Sequence, residues 1–418
     1  MRTITLVCLT SALITAAAYP TLSATERYHV TDLPSLGGAI SKGNSINDGG
    51  LVLGYSRLTD GNSEHAAAWL FGRVFDLGTL GGPNSDVAWP VKSSFARIVG
   101  ISQTAAPELL GENWSCAGFF APATATGYVC RGFVLEFGHM RELPTLGGEN
   151  SYAAGDNRLG QIAGWAETTF RDPTCEGPGV NKSGQVLQFL PVIYGPAPNR
   201  IEKLPLLSGD SSGAAVAIND LGQAVGITGD CDQAVGRRTA RHAVLWERGK
   251  VIDIGKNRAP APWWNTPVAI NDRGIVVGFL GDPRDVTGDI THAFIWSRQT
   301  GLQRLVPGDY SDNDTDNSTA TSINNLGQVV GYYVAADGNL HGFVWDPDEG
   351  LQDLNDLKQS TYTSLIQLAT DINDRGQITG RAIDSVNKTR PAILTSPGVA
   401  AIVGGMSANG SHVKDSAD

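Results

Sequence analysis

Three observations predict an all-β fold: a closed, seven-bladed β-propeller of four-stranded antiparallel blades. The first is a repeat. Seven segments end in Ile-Asn-Asp-x-Gly-x-Val-Val-Gly or a worn copy of it, closing at Gly54, Gly100, Gly164, Gly226, Gly278, Gly331 and Gly380. Subtraction puts these glycines 46 to 64 residues apart, the range in which a repeat is one supersecondary unit that needs its neighbours to bury its apolar faces. The second is composition: 51 glycines, 21 prolines and only 17% charged residues suit short strands and tight turns rather than helices. The third lies at the ends, because the repeats begin and finish partway through a unit, and the two fragments complete each other.

Residues 1–24 read as a cleavable secretory signal. Arg2 precedes an apolar run over 6–18, and small residues end at Leu22-Ser23-Ala24, with cleavage expected near Ala24. The run is too short for a membrane anchor. Residues 25–398 hold the propeller, and 399–418 are expected to form a disordered tail. The formal charge of -11 argues against nucleic-acid binding, which needs a basic footprint, and against adsorption to anionic membranes. The expected setting is therefore the periplasm or the cell exterior, as a soluble monomer without membrane insertion.

The clearest unit shows four strand-like pieces. His292-Ala293-Phe294-Ile295-Trp296 alternates, residues 302–305 follow a turn at Gly301, residues 320–324 form a third piece, and residues 328–332 a fourth. Asn325-Leu326-Gly327 separates the last two, with Asp48-Gly49-Gly50, Asp220-Leu221-Gly222, Asp272-Arg273-Gly274 and Asp374-Arg375-Gly376 in other copies. A short loop opening with Asp or Asn and holding glycine is hairpin chemistry. At the N-terminus Tyr28-His29-Val30-Thr31-Asp32-Leu33 supplies a second piece, and at the C-terminus Arg390-Pro391-Ala392-Ile393-Leu394 supplies a first, so pairing them closes the ring.

Together these strings, His-Ala-Phe-x-Trp, Asp-Leu-Gly-Thr-Leu-Gly-Gly and Ile-Asn-Asp-x-Gly-Gln-Val-Val-Gly, resemble the extracellular repeat called the HAF family. The best matches are residues 292–296, 341–345, 76–82 and 372–380. The resemblance implies an exported bacterial repeat protein and brings no catalytic residues with it. Residues 92–96, which lose the Asn-Asp-x-Gly turn, and residues 183–188, where the His-Ala-Phe strand is unrecognisable, depart from it.

Loops of a four-stranded meander alternate between two faces. All the length variation falls on one of them, over residues 103–130, 167–182, 229–241, 257–266, 281–291 and 308–318. Function concentrates on such loops. Three groups are candidates there. His65, Arg131, His242, His292, His341 and Arg390 share one position, and if their strand is innermost they form a cationic ring at the tunnel mouth; repetition, however, is also the signature of a scaffold element. Trp114, Trp263, Trp264 and Tyr310 lie in the variable loops and could stack on a ligand or simply pin the loops. Asp312, Asp314 and Asp316 alternate as carboxylates do in calcium loops, although Ile323 stands where an EF-hand needs its last Glu, so a solvated acidic loop is the plainer reading. Calcium is the one cofactor these residues suggest.

Of the five cysteines, Cys8 falls in the signal, leaving Cys116, Cys130, Cys175 and Cys231. Their loops pair Cys116 with Cys130 within one loop and Cys175 with Cys231 between adjacent blades. Metalloprotease His-Glu-x-x-His, Walker-type and Cys-x-x-Cys strings are absent. The expected function is a secreted module that binds an extracellular glycan or a partner protein at the long-loop face. The alternative is a polysaccharide lyase or hydrolase using the His/Arg set, and a purely structural surface protein comes third.

Overall fold

The computed structural model describes residues 27–93, 97–112, 115–120, 127–175, 184–231, 240–255, 265–282, 284–285, 289–308 and 314–396. Within them the chain forms seven four-stranded sheets, each an antiparallel meander. Blade 1 runs Gly37–Ile46, Val52–Leu58, Glu64–Leu70, Arg73–Asp76 from the axis outward. The first strands of blades 2 to 7 are Gly81–Asp86, Gly147–Asp156, Ser212–Ile218, Asn265–Ile270, Ser318–Ile323 and Leu365–Ile372. These inner strands touch in succession from blade 3 round to blade 1. The two copies that depart from the repeat are complete blades, 2 and 3.

Blade 7 closes the ring as the chain ends predict. Its outermost strand, His29–Asp32, pairs with Thr389–Thr395 in the register Val30↔Leu394 and Asp32↔Ala392.

One expectation is corrected. The His-Ala-Phe strand is third from the axis, not innermost: Glu64–Leu70 lies between Val52–Leu58 and Arg73–Asp76. The reason is wedge geometry. Seven strands converging on an axis leave least room where neighbouring inner strands meet, and small side chains fill it, as in Ala153-Ala154 and Ala214-Ala215, all buried. Tryptophans need the wider space further out. Trp69 packs among Ile46, Val52 and Ile393, bridging blades 1 and 7, and its indole N–H donates to Pro34 O at 2.6 Å. Trp246 repeats this with Pro205 O at 2.7 Å. Burying an aromatic of this size removes roughly 200 Å² from water, about 5 kcal/mol at ~25 cal/mol per Å².

Both disulfides form as the loops predict. Cys116 and Cys130 have Cα atoms 5.2 Å apart across a separation of 14 residues. Cys175 and Cys231 are 4.9 Å apart across 56, joining blades 3 and 4. All four sulfurs sit in one apolar cluster with Phe120, Tyr152, Trp165 and Phe189. Loop closure of these lengths restricts the unfolded chain by roughly 3 and 4 kcal/mol respectively. Among the described residues no helix is long and apolar enough to cross a membrane.

Candidate functional site

The Asn-Asp-x-Gly turns end the inner strands, so they gather around the axis. In each, the asparagine side chain first caps its own turn: Asn47 Oδ1 accepts from Gly49 N (2.9 Å) and Leu51 N (3.1 Å). That leaves the amide N–H of the same side chain to reach the next blade. Asn157 donates to Asn219 O, Asn219 to Asn271 O, Asn271 to Asn324 O, Asn324 to Asn373 O, and Asn373 to Asn47 O, all at 2.9–3.1 Å. Asn47 donates to Ser93 O at 2.9 Å, and Ser93 Oγ to Asp156 Oδ1 at 2.7 Å, which returns the chain of bonds to blade 3. The repeat motif is a molecular belt, with each link worth about 1 kcal/mol.

A second set of bonds lies above it. The backbone N–H of Arg158, Asp220, Asp272, Asn325 and Asp374 each donates to the side chain at the same position one blade on, ending at Asp48. Asn325 Nδ2 bridges Asp272 Oδ2 (3.1 Å) and Asp374 Oδ2 (2.9 Å). Arg158 spans the sector of blade 2, with Nη2 3.7 Å from Asp48 Oδ2 and Nε 3.3 Å from Asp220 Oδ2. The two rings enclose a cavity of 330 Å³ that opens on this face. Among the described residues its walls are Ile, Asn, Asp, Gly and Ser, with Lys92 and Arg158 as the only cations and no aromatic side chain.

Blades 2 and 3 break the pattern at the cavity wall. Five blades carry isoleucine before the asparagine, at Ile46, Ile218, Ile270, Ile323 and Ile372; blade 3 carries Asp156. Burial pushes that carboxyl up to about 7, against the lowering effect of the Ser93 hydrogen bond. In blade 2 Lys92, at φ 56°, reaches past blade 1 to the buried Asp371 and to Ile372 O (2.6 Å). Asp371 also accepts from Ile46 N (2.8 Å) and Ser322 Oγ (2.5 Å), so its charge is fully met.

A model of the family described as Protein of unknown function (DUF3466) matches residues 208–416, blades 4 to 7. The chain belongs to this family. No curated protein sequence matches it. Among solved structures, puromycin hydrolase is similar with a TM-score of 0.45 and 13% identity over 87% of this chain and 54% of that one. Kuenenia stuttgartiensis hydrazine synthase gives 0.41 and 10% over 85% and 50%. Aleuria aurantia lectin in complex with Fucalpha1-6GlcNAc gives 0.33 and 9% over 77% and 96%. The chain spans about half the length of the hydrolase and the synthase.

In this DUF3466 protein the histidines and arginines expected at the tunnel mouth stand two strands away from it and are held by carboxylates. His65 Nδ1 meets Asp76 at 2.8 Å, His242 Nδ1 meets Asp210 at 2.9 Å, and His341 Nδ1 meets Asp353 at 2.6 Å. His292 lies between Asp316 (3.1 Å) and Asp282 (3.0 Å), fully buried. Arg390 binds Asp32 (3.0 Å) and Asp384 (3.2 Å), and Arg131 lies 3.7 Å from Glu142. For His65, Arg131, His341 and Arg390 the acid is the last residue of the neighbouring outer strand, which clips third strand to fourth, whereas the partners of His242 and His292 stand outside the outer strands. Leu190 holds the position in blade 3. The Asp210 hydrogen bond raises the His242 pKa; at His341 burial pulls downward, and the bonds and charges of Asp353 and Asp337 together outweigh it and raise the pKa.

Asp314 and Asp316 converge on Arg304 at 2.5–3.0 Å. Asp312, Trp114, Trp263, Trp264 and Tyr310 lie outside the described residues. The family member also contains one Gly-x-Ser-x-Gly string, at 209–213. It is a turn into an inner strand, and Ser211 Oγ meets Thr174 Oγ1 at 3.1 Å rather than a histidine.

Sequence reasoning missed the axial cavity. The loss of the turn over 92–96 was visible, and so was the string Asp156-Asn157-Arg158 in place of Ile-Asn-Asp, but a repeat conceals what lines its axis until the innermost strand is known. A second miss is the pair Glu112 and Glu167, both fully buried and linked by Asn150 and Gln185. Burial and then the Glu167 charge push Glu112 up to about 8.

Proposed function

We propose that this protein is an exported binding module whose axial cavity seats a positively charged group of its ligand. One observation carries the reading: the departures from the repeat at Lys92, Ser93, Asp156 and Arg158 gather on one wall of the cavity. Copies that only hold a scaffold together have no reason to diverge there. Four aspartates, Asp48, Asp220, Asp272 and Asp374, supply acceptors around the mouth, and Arg158 is a movable counter-ion, 77% exposed and loosely held. A ligand ammonium can displace it and keep every carboxylate paired. Two disulfides fit export to an oxidising compartment.

This reading seats the ligand on the face of the tight turns, where the cavity opens, rather than on the long-loop face. A glycan fits less well, since the described residues give the cavity no aromatic surface for a sugar to stack on. An enzymatic reading rests on Asp156 alone, a carboxyl with a pKa suited to a general base.

The test is calorimetric titration of the full chain with putrescine, spermidine and arginine methyl ester, beside neutral oligosaccharides. Binding of an amine that weakens with salt, and falls at least tenfold in Asp220→Asn/Asp272→Asn, is the expected result. Asn325 already fills one ring position, so the variant should fold. Equal binding by the variant, or affinity only for the sugars, overturns the reading.

A further inference from the structure

The same face carries apolar side chains that the ring itself does not use. Leu159, Leu221 and Leu326 follow Arg158, Asp220 and Asn325 directly in their turns and are 57%, 67% and 63% exposed. Further out, the turns between third and fourth strands emerge on the same side, and those of blades 1 and 2 present Phe71 (67%) and Phe137 (93%). Both phenylalanines sit at positive φ, 50° and 53°, each before a glycine at φ 74° and 77°. Such a two-residue hairpin turn favours asparagine at the first place, and a bulky side chain there costs about 1 kcal/mol with no packing to offset it. Two aromatic rings are thus held in solvent, at a local cost, on neighbouring blades.

We infer that this face docks a partner protein, which inserts one lysine or arginine from a loop tip into the cavity and lays flanking apolar side chains on the leucines. The inference rests on the cation-seating reading and adds the identity of what carries the cation. Three features favour a protein loop. A volume of 330 Å³ lies at the lower end for small-molecule sites and suits one side chain. The acidic centre ringed by leucines complements a basic tip with apolar flanks, the arrangement of a buried anchor inside a water-excluding surround. Arg273 and Arg375, exposed in the corresponding turns of blades 5 and 7, repel a basic residue placed off-centre and so fix the register. The opposite face also exposes Leu109, Phe170 and Val386, but these stand on separate loops of blades 2, 3 and 7.

The experiment pans a library of disulfide-closed loop peptides against the immobilised full chain, then measures the enriched peptides by titration. Enriched loops should share one Lys or Arg beside apolar residues. Their affinity should fall at least tenfold in Leu221→Ser/Leu326→Ser, in Phe71→Ser/Phe137→Ser and in Asp220→Asn/Asp272→Asn, with the melting temperature unchanged. Loss only in the aspartate variant leaves cation seating intact and overturns the docking face. Equal binding by all three variants overturns both. Enrichment of loops without a basic residue, or a concentration-dependent dimer in sedimentation that Leu221→Ser/Leu326→Ser dissolves, assigns the face to another occupant and also overturns the inference.

Discussion

Asp156 is an ionisable group in a position built for isoleucine, and its behaviour follows from that. Its folded pKa of about 7 lies above the ordinary 3.8, so the protonated form is the one the fold favours. The sign is that of a raised acid: the contribution to stability is complete below pH 4 and is lost as the pH rises through about 7. Glu112, raised to about 8 beside Glu167, acts in the same direction over a window reaching one unit higher. Asp156→Asn keeps an acceptor for Ser93 and removes the titration, so at pH 8 it should be more stable than the parent by roughly 2 to 4 kcal/mol. At pH 4 the two proteins should melt together. Melting curves from pH 4 to 9 check this, and parallel curves for parent and variant would remove Asp156 as a source of pH dependence. Neither residue was legible as titratable in the sequence. An isolated Asp in a repeat reads as a surface change, and the pairing of Glu112 with Glu167 joins residues 55 apart through loops that no periodicity describes.

The seven closing glycines show what an element-level reading catches and what it leaves out. Their spacing revealed the repeat, and with it the blades, the closure and the cysteine-bearing loops. The reason for glycine was hidden, because it depends on a bulge in the facing inner strand, where the register shifts between Ala320 and Ser322 in blade 6 and at matching points elsewhere. The bulge turns a carbonyl toward the glycine. A Cβ on Gly331 would lie 2.0 Å from Thr319 O, on Gly278 2.0 Å from Thr266 O, and on Gly380 1.9 Å from Leu368 O. Backbone oxygens cannot swing aside, so Gly331→Ala should cost about 3 kcal/mol or more. Gly50→Ala is the control: its φ of 77° is unfavourable but nothing lies within 4 Å, and about 1 kcal/mol is expected. Denaturant unfolding of both variants measures the gap, and equal losses would mean that the close approach relaxes. The radial place of each strand was equally hidden. Periodicity gives the order of strands along the chain, and only side-chain volume at the axis decides which comes first, a signal carried by the alanines and serines rather than by the conspicuous histidines and tryptophans.

At the scale of the whole molecule, every blade depends on two neighbours, and the belt of asparagine bonds has meaning only if the ring is closed. Closure rests on one strand. Thr389–Thr395 pairs with Ile378–Ile383 on one side and with His29–Asp32 on the other, and Ala392 and Leu394 belong to the apolar cluster shared by blades 6 and 7. A chain ending at Lys388 loses that strand and leaves His29–Asp32 without a partner. It also removes Ile393, which packs on Trp69 of blade 1, so the damage reaches the next interface. The truncated chain should melt far below the full one, or fail to stay soluble, as a sheet edge and two apolar clusters open together. A permuted chain separates loss of closure from loss of sequence. Residues 29 and 395 face each other in the register, so a short linker can join the ends, and new termini can be cut in the exposed turn at Asp60 and Gly61. That permutant retains all seven blades with the belt intact and should melt near the parent. Calorimetry of the three proteins decides the matter: a truncated chain as stable as the parent, or a permutant as weak as the truncated one, would show that the pairing of the two ends is not what holds the ring together.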